Sequence, residues 1–127
     1  MFNLRRGLSE AKKKIQPGEY VSEVVNIRWA PGYVEGKAIE IRYRLSNDSG
    51  NDFPFKETFL VDPEHERSAK FFNYLAENGI EDVEEFVGCH ERVTVMRDVV
   101  NGATFANIVD REFITDGDKI TDDTVEI

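Results

Sequence analysis

Ala38-Ile39-Glu40-Ile41-Arg42-Tyr43-Arg44-Leu45 alternates between apolar and charged residues. A period of two sends successive side chains to opposite faces of a strand, so Ile39, Ile41, Tyr43 and Leu45 line a core while Glu40, Arg42 and Arg44 face outward. A strand with one buried face needs partners, and the flanking sequence supplies them. Upstream, residues 19–29 are rich in β-branched and aromatic side chains and read as a first strand. Glu23 shares parity there with Val21, Val25, Ile27 and Trp29, which predicts a β-bulge near residues 22–24. Pro31-Gly32 and Gly36 mark the loop that follows. Downstream, the polar residues 46–52 form a turn, and residues 53–61 give a third strand with Phe53, Phe55 and Phe59 inward. Glu57 interrupts that parity, and nothing in the sequence accounts for it.

The next segment changes period. Asp62-Pro63-Glu64 predicts a helix start, because Asp caps free amides, Pro has no amide to leave unpaired, and Glu favours the positive end of the dipole. Ala69, Phe72 and Ala76 recur at helical spacing beside Leu75, and Asn78-Gly79 stops the helix with Ile80 placed to fold back on it. Val83, Phe86 and Val87, closed by Gly88, suggest a further short turn. Residues 91–99 return to strand, Asn101-Gly102 is a two-residue hairpin signal, and residues 103–114 are the last strand. Three strands, a helix and a hairpin predict an all-β fold with one main helix: a five-stranded Greek-key OB barrel, helix between strands three and four. A ferredoxin-like fold ranks second, since it needs a helix after the first strand and none is evident.

Length and charge set outer limits. The 127 residues, 40% apolar and 32% charged, suit one folded domain and exclude a multidomain enzyme. Residues 1–16 read as a basic N-terminal arm, with Arg5, Arg6, Lys12, Lys13 and Lys14 against Glu10. Residues 17–114 are the domain, and residues 115–127 an acidic C-terminal tail with Asp116, Asp118, Asp122, Asp123 and Glu126 against Lys119. The whole chain carries −9, but unevenly. Residues 1–60 hold ten Lys/Arg and eight Asp/Glu, a net of +2, whereas residues 61–127 hold six and seventeen, a net of −11. Bulk acidity argues against coating nucleic acid by overall charge and leaves room for a local basic groove. No apolar run approaches the roughly 20 residues that cross a bilayer, and no apolar region follows the basic N-terminus as a secretory signal requires. Cys89, the single cysteine, fits a reducing cytoplasm.

The residues of catalysis are not arranged for it. There is no phosphate-cradling glycine motif, and neither a cofactor nor a metal site is expected. Cys89-His90 lacks a second Cys pair, with His65 as its sole companion histidine, so a zinc site is not expected. Glu81-Asp82-Val83-Glu84-Glu85 lacks the glycine turn of a calcium loop and reads as a solvated face. Nuclease chemistry would need carboxylates gathered from several strands, and Glu57 alone is out of place.

A binding face is better supported. On an OB barrel the ligand lies across strands two and three, bordered by the loops joining strands one to two and four to five. Mapped here, Arg42 and Arg44 of the second strand, Lys56 of the third and Arg28 near the end of the first form a basic patch. Trp29, Tyr33 and Lys37 add rings and a cation where bases stack and phosphates pair. Trp29 also shares parity with Val25 and Ile27, so a core position is an equal reading. The loop at residues 99–103 offers no aromatic side chain.

Several stretches together resemble a known family. Pro17-Gly18-Glu19-Tyr20, the strand closing in Trp29, the restart Gly36-Lys37-Ala38-Ile39-Glu40-Ile41, the helix with Phe71-Phe72-Asn73-Tyr74-Leu75 and the return over residues 88–95 are similar to small OB-fold single-stranded DNA-binding proteins of bacteriophages and mobile elements. The likeness spans about residues 15–114. It implies cooperative or dimeric coating of single-stranded DNA in replication or recombination, without catalysis, and an acidic tail that recruits replication or recombination proteins or competes with DNA. The end of this chain, Val125-Glu126-Ile127, departs from the bacterial tail pattern in having no Gly/Pro-rich linker and no terminal Phe. The alternative is an acidic interaction module, or nucleic-acid mimic, that occupies a basic groove on a host protein.

Overall fold

Alternating segments become strands here by pairing into one antiparallel sheet. A computed structural model describes residues 15–114, so all of the acidic tail and all but Ile15 and Gln16 of the basic arm lie outside the described residues. The elements are β1 (Gly18–Trp29), β2 (Ala38–Ser46), β3 (Asp52–Leu60), α1 (Glu66–Glu77), a 3-10 turn (Val83–Phe86), β4 (His90–Val100) and β5 (Ala103–Ile114). The sheet order is β3-β2-β1-β4-β5. After α1 the chain returns to lay β4 beside β1, which gives the first four strands Greek-key order. β3 and β5 are the two edges, and no ladder joins them among the described residues. Backbone hydrogen bonds therefore leave the sheet open, where the order of elements had predicted a closed barrel.

The β1 irregularity sits slightly beyond its predicted place. The register with β2 shifts between Val24 and Asn26, leaving Val25 as the extra residue, half exposed. Before the bulge Tyr20, Ser22 and Val24 are buried; beyond it the opposite parity turns inward at Ile27. Glu23 consequently faces out beside Arg44, its partner across the ladder.

The helix begins later than the sequence predicts. Asp62 caps a turn by accepting from the Glu64 amide at 2.9 Å, and His65 takes the N-cap, its ring accepting from the Ser68 amide. The stop is as expected: Gly79 has φ +86°, and the Ile80 amide donates back to the Leu75 carbonyl at 2.9 Å. α1 lays Phe71 flat on Phe59 of β3, with ring centroids 4.0 Å apart, and buries Leu75 beside it. Phe86 from the 3-10 turn joins them with no exposure, alongside Ile41, Leu45, Val24, Val93 and Val95. Ile15, at the end of the stretch read as an arm, is also in this core at 6% exposure.

The acidic run at residues 81–85 makes a cap. Asp82 and Glu85 form a capping box on the 3-10 turn, Glu85 accepting from the Glu81 amide at 2.9 Å. Asn101 and Gly102, at φ +52° and +81°, make the tight turn between β4 and β5. The β1–β4 ladder begins at Gly18 opposite Val95, whereas the β4–β5 ladder runs on to Val100 opposite Ala103. The end of this hairpin thus extends past β1 as a two-stranded arm. No helix among the described residues is long and apolar enough to cross a membrane.

Candidate functional site

Antiparallel register lines the outward residues of β1, β2 and β3 into rows. Arg28, Glu40 and Thr58 form one row, and Asn26, Arg42 and Lys56 the next. Glu40 is outward by parity yet its side chain is only 3% exposed, because cations cover it. Arg28 Nε donates to Glu40 Oε1 at 2.8 Å, Arg42 Nε lies 3.9 Å from the same oxygen, and Lys56 Nζ lies 3.7 Å from Oε2. The hydrogen bond from Arg28 leads the effects that hold this carboxyl below the usual carboxylate range. The three cations are themselves 48%, 51% and 65% exposed, so one carboxylate gathers three positive groups that face solvent with charge in excess. Arg44 differs. It is hydrogen-bonded to Glu23, whose carboxyl is held low chiefly by that bond, and so its charge is matched one to one.

A groove of about 1120 Å³ borders this face. Arg42, Arg44 and Lys56 line it together with Val25 of the bulge, and Thr104, Phe105 and Ala106 of β5 form its other bank. The sequence reading missed that bank. Phe105 is half exposed, and it lies just past the loop at residues 99–103, which has no aromatic side chain of its own. Arg97 pairs with Ala106 across the hairpin on the parity of Val93 and Val95, and its Nε is buried with no hydrogen-bond partner among the described residues. Trp29, Tyr33 and Lys37 do not line the groove. Trp29 and Tyr33 are half exposed and Lys37 is exposed, all near the β1–β2 connection, so the structure places Trp29 at the surface. Of the residues singled out from sequence, Arg28, Arg42 and Lys56 are brought around Glu40, and Arg42, Arg44 and Lys56 around the groove.

A second constellation accounts for Glu57. It points inward from β3 at 8% exposure and accepts from the Tyr43 hydroxyl at 2.7 Å and from Arg111 Nη2 of β5 at 2.6 Å. Arg111 Nη1 also reaches Glu91 of β4 at 3.3 Å, and the Tyr74 hydroxyl of α1 donates to Glu91 at 2.7 Å. Burial pushes the Glu91 carboxyl up against the opposing pull of Arg111, and burial likewise raises both phenols. For Arg111 burial disfavours the charge, but Tyr43, Glu57 and Glu91 outweigh it and keep the guanidinium above its usual range. One cation thus serves two buried carboxylates. Arg67 of α1 also pairs with Glu57, at 3.3 Å. No group of three or more potential metal ligands forms among the described residues. His65 is committed to its cap, and the Cys89 thiol lies 3.5 Å from the Glu85 carbonyl.

No family model matches the chain, and no match is found among curated proteins.

Proposed function

We propose that this chain is a non-catalytic single-stranded DNA-binding protein of OB type, acting in the replication or recombination of phage or mobile-element DNA. The observation that carries the reading is the cluster of Arg28, Arg42 and Lys56 around Glu40, beside a groove whose far bank presents Phe105. Cations with excess charge track a phosphate backbone without reading sequence, and half-exposed rings accept unstacked bases. Trp29 and Tyr33 extend the stacking surface toward the β1–β2 connection. An OB-type barrel is supported by the Greek-key order and by Arg111, which ties edge strand β3 to β5 through Glu57 where backbone pairing is lacking. The two unpaired edges also favour pairing with a second copy.

Charge reversal of Arg42→Glu with Arg44→Glu tests the site. Both side chains are half exposed, so the double variant should keep the wild-type circular dichroism and Tm while losing binding to oligo-dT. Unchanged affinity would remove this face from the account.

A further inference from the structure

Arg97 stands where the inward face of the β4–β5 hairpin runs out of cover. The β1–β4 ladder begins at Gly18 opposite Val95, so Arg97 lies one inward step beyond the last rung that β1 shields. On that face Val93 and Val95 are buried, Arg97 is partly buried and Val99 is 70% exposed, which puts Arg97 at the boundary between core and solvent. Its cross-strand partner is Ala106, and paired residues share a face of the sheet. Ala106 belongs to the β5 bank of the groove, so Arg97 adjoins the bank that stands opposite Arg42, Arg44 and Lys56.

This position costs stability as it stands. Arg97 Nε is shut off from water and has no hydrogen-bond partner among the described residues. A desolvated donor left unmade is unfavourable, more so on a charged group, and each such group in a native fold needs a reason. No ion pair joins Arg97 to a carboxylate among the described residues. Asp98, its neighbour in sequence, points to the opposite face and accepts from Asn107 Nδ2 at 3.1 Å, while Asp52, the one acid of the groove lining, accepts from the Ser46 hydroxyl at 2.6 Å.

We infer that Arg97 is a phosphate-contacting residue of the groove, the cation of its hairpin bank. The inference rests on the single-stranded DNA reading above and gives that site cations on both banks. A turn about the side-chain bonds of Arg97 releases Nε from its buried place and offers the guanidinium fork to phosphate oxygens, which match its geometry. Binding thus relieves a cost that the free protein carries.

The test is the full chain carrying Arg97→Met, titrated against labelled oligo-dT over a range of salt, with thermal unfolding beside it. Methionine keeps a flexible apolar stem and removes the charge together with the unpaired donor. Tm should therefore hold or rise. Affinity at low salt should fall about tenfold, the loss of one hydrogen bond to a charged group, and the slope of log K against log salt should become shallower by about 0.7, the share of one phosphate on a single strand. Arg97→Lys keeps the charge and should keep the slope. Lys70→Met, which removes one charge from the exposed surface of α1, should leave the slope unchanged. If wild type binds and Arg97→Met keeps both affinity and slope, the Arg97 inference is overturned while the DNA reading stands. A Tm lowered by several degrees in Arg97→Met also overturns it, because Arg97 would then be holding the hairpin in place. If wild type itself does not bind, the DNA reading fails and takes the inference with it.

Discussion

Arg111 is 13% exposed and holds Glu57 and Glu91 against each other's charge, with its guanidinium 4.9 Å from the centre of the Phe71 ring. Removing a cation from buried carboxylates leaves charge uncompensated, so Arg111→Met should lower stability by about 3–5 kcal/mol in denaturant unfolding. The sign of its pH dependence follows from Glu91. Burial places the folded-state value above the ordinary carboxylate value of 4.5, so the folded state holds this proton more tightly than the unfolded chain does. The contribution of Glu91 to stability is therefore most favourable below that ordinary value and declines as pH rises through the folded one. Without Arg111 the decline should steepen, and the variant should lose more stability at pH 7 than at pH 5; the reverse order would show that Arg111 does not govern Glu91. On the outer face, Glu40→Gln removes the one carboxylate among three cations and should tighten oligo-dT binding roughly threefold at low salt, the effect of one charge several ångströms from a phosphate in water. Weaker binding on anisotropy would mean that Glu40 organises the site. Parity alone flags Glu57 as anomalous, but its partner Arg111 is 54 residues away, and no local pattern connects them. Arg42, Arg44 and Lys56 were legible because outward parity is a property of single strands.

At the scale of elements, local signals succeed where geometry is local. Asn101-Gly102 specifies its turn because both residues take positive φ, and a β-branched side chain at Asn101 would be strained there. Asn101→Val should cost about 1–2 kcal/mol in denaturant unfolding. No loss would mean that the turn relaxes to another type. The α1 start was misplaced because Asp62-Pro63-Glu64 carries the composition of a cap and is used as a turn, while His65 caps α1 through its ring. The β1 bulge was anticipated from Glu23, yet its position at Val25 depends on the ladder with β2, which single-strand parity does not encode. The hairpin bank of the groove was illegible for the same reason: that β5 faces β2 and β3 across open space is a consequence of strand order. Phe105→Ala should weaken oligo-dT binding by about 1–3 kcal/mol, and as Phe105 is half exposed, Tm should hardly move. A large fall in Tm with unchanged binding would make Phe105 a packing residue.

The molecule as a whole is acidic, and its proposed DNA face is not. Residues 1–60 carry a net of +2 and residues 61–127 a net of −11, but residues 1–14 alone carry +4, so residues 15–60, with five Lys/Arg and seven Asp/Glu, carry −2. The positive character of the face is therefore local: Arg28, Arg42 and Lys56 converge on Glu40 within a segment that is itself slightly acidic. An acidic body repels polyanions at long range and leaves attraction to the cluster, which favours a thin flexible strand over a duplex of higher charge density. Strand number, helix and element order were readable from period and turn chemistry; closure was not, because the gap between β3 and β5 is crossed by side chains and by no ladder. The central claim is single-strand binding, and the most direct measurement is fluorescence anisotropy of labelled oligo-dT at low and moderate salt, with a duplex of equal length beside it. The account predicts tight binding to oligo-dT that weakens with salt at a log-log slope of roughly −2 for three neutralised phosphates, with the duplex bound far less. Absence of oligo-dT binding at low salt would contradict it and turn attention to the acidic second half of the chain as the functional surface.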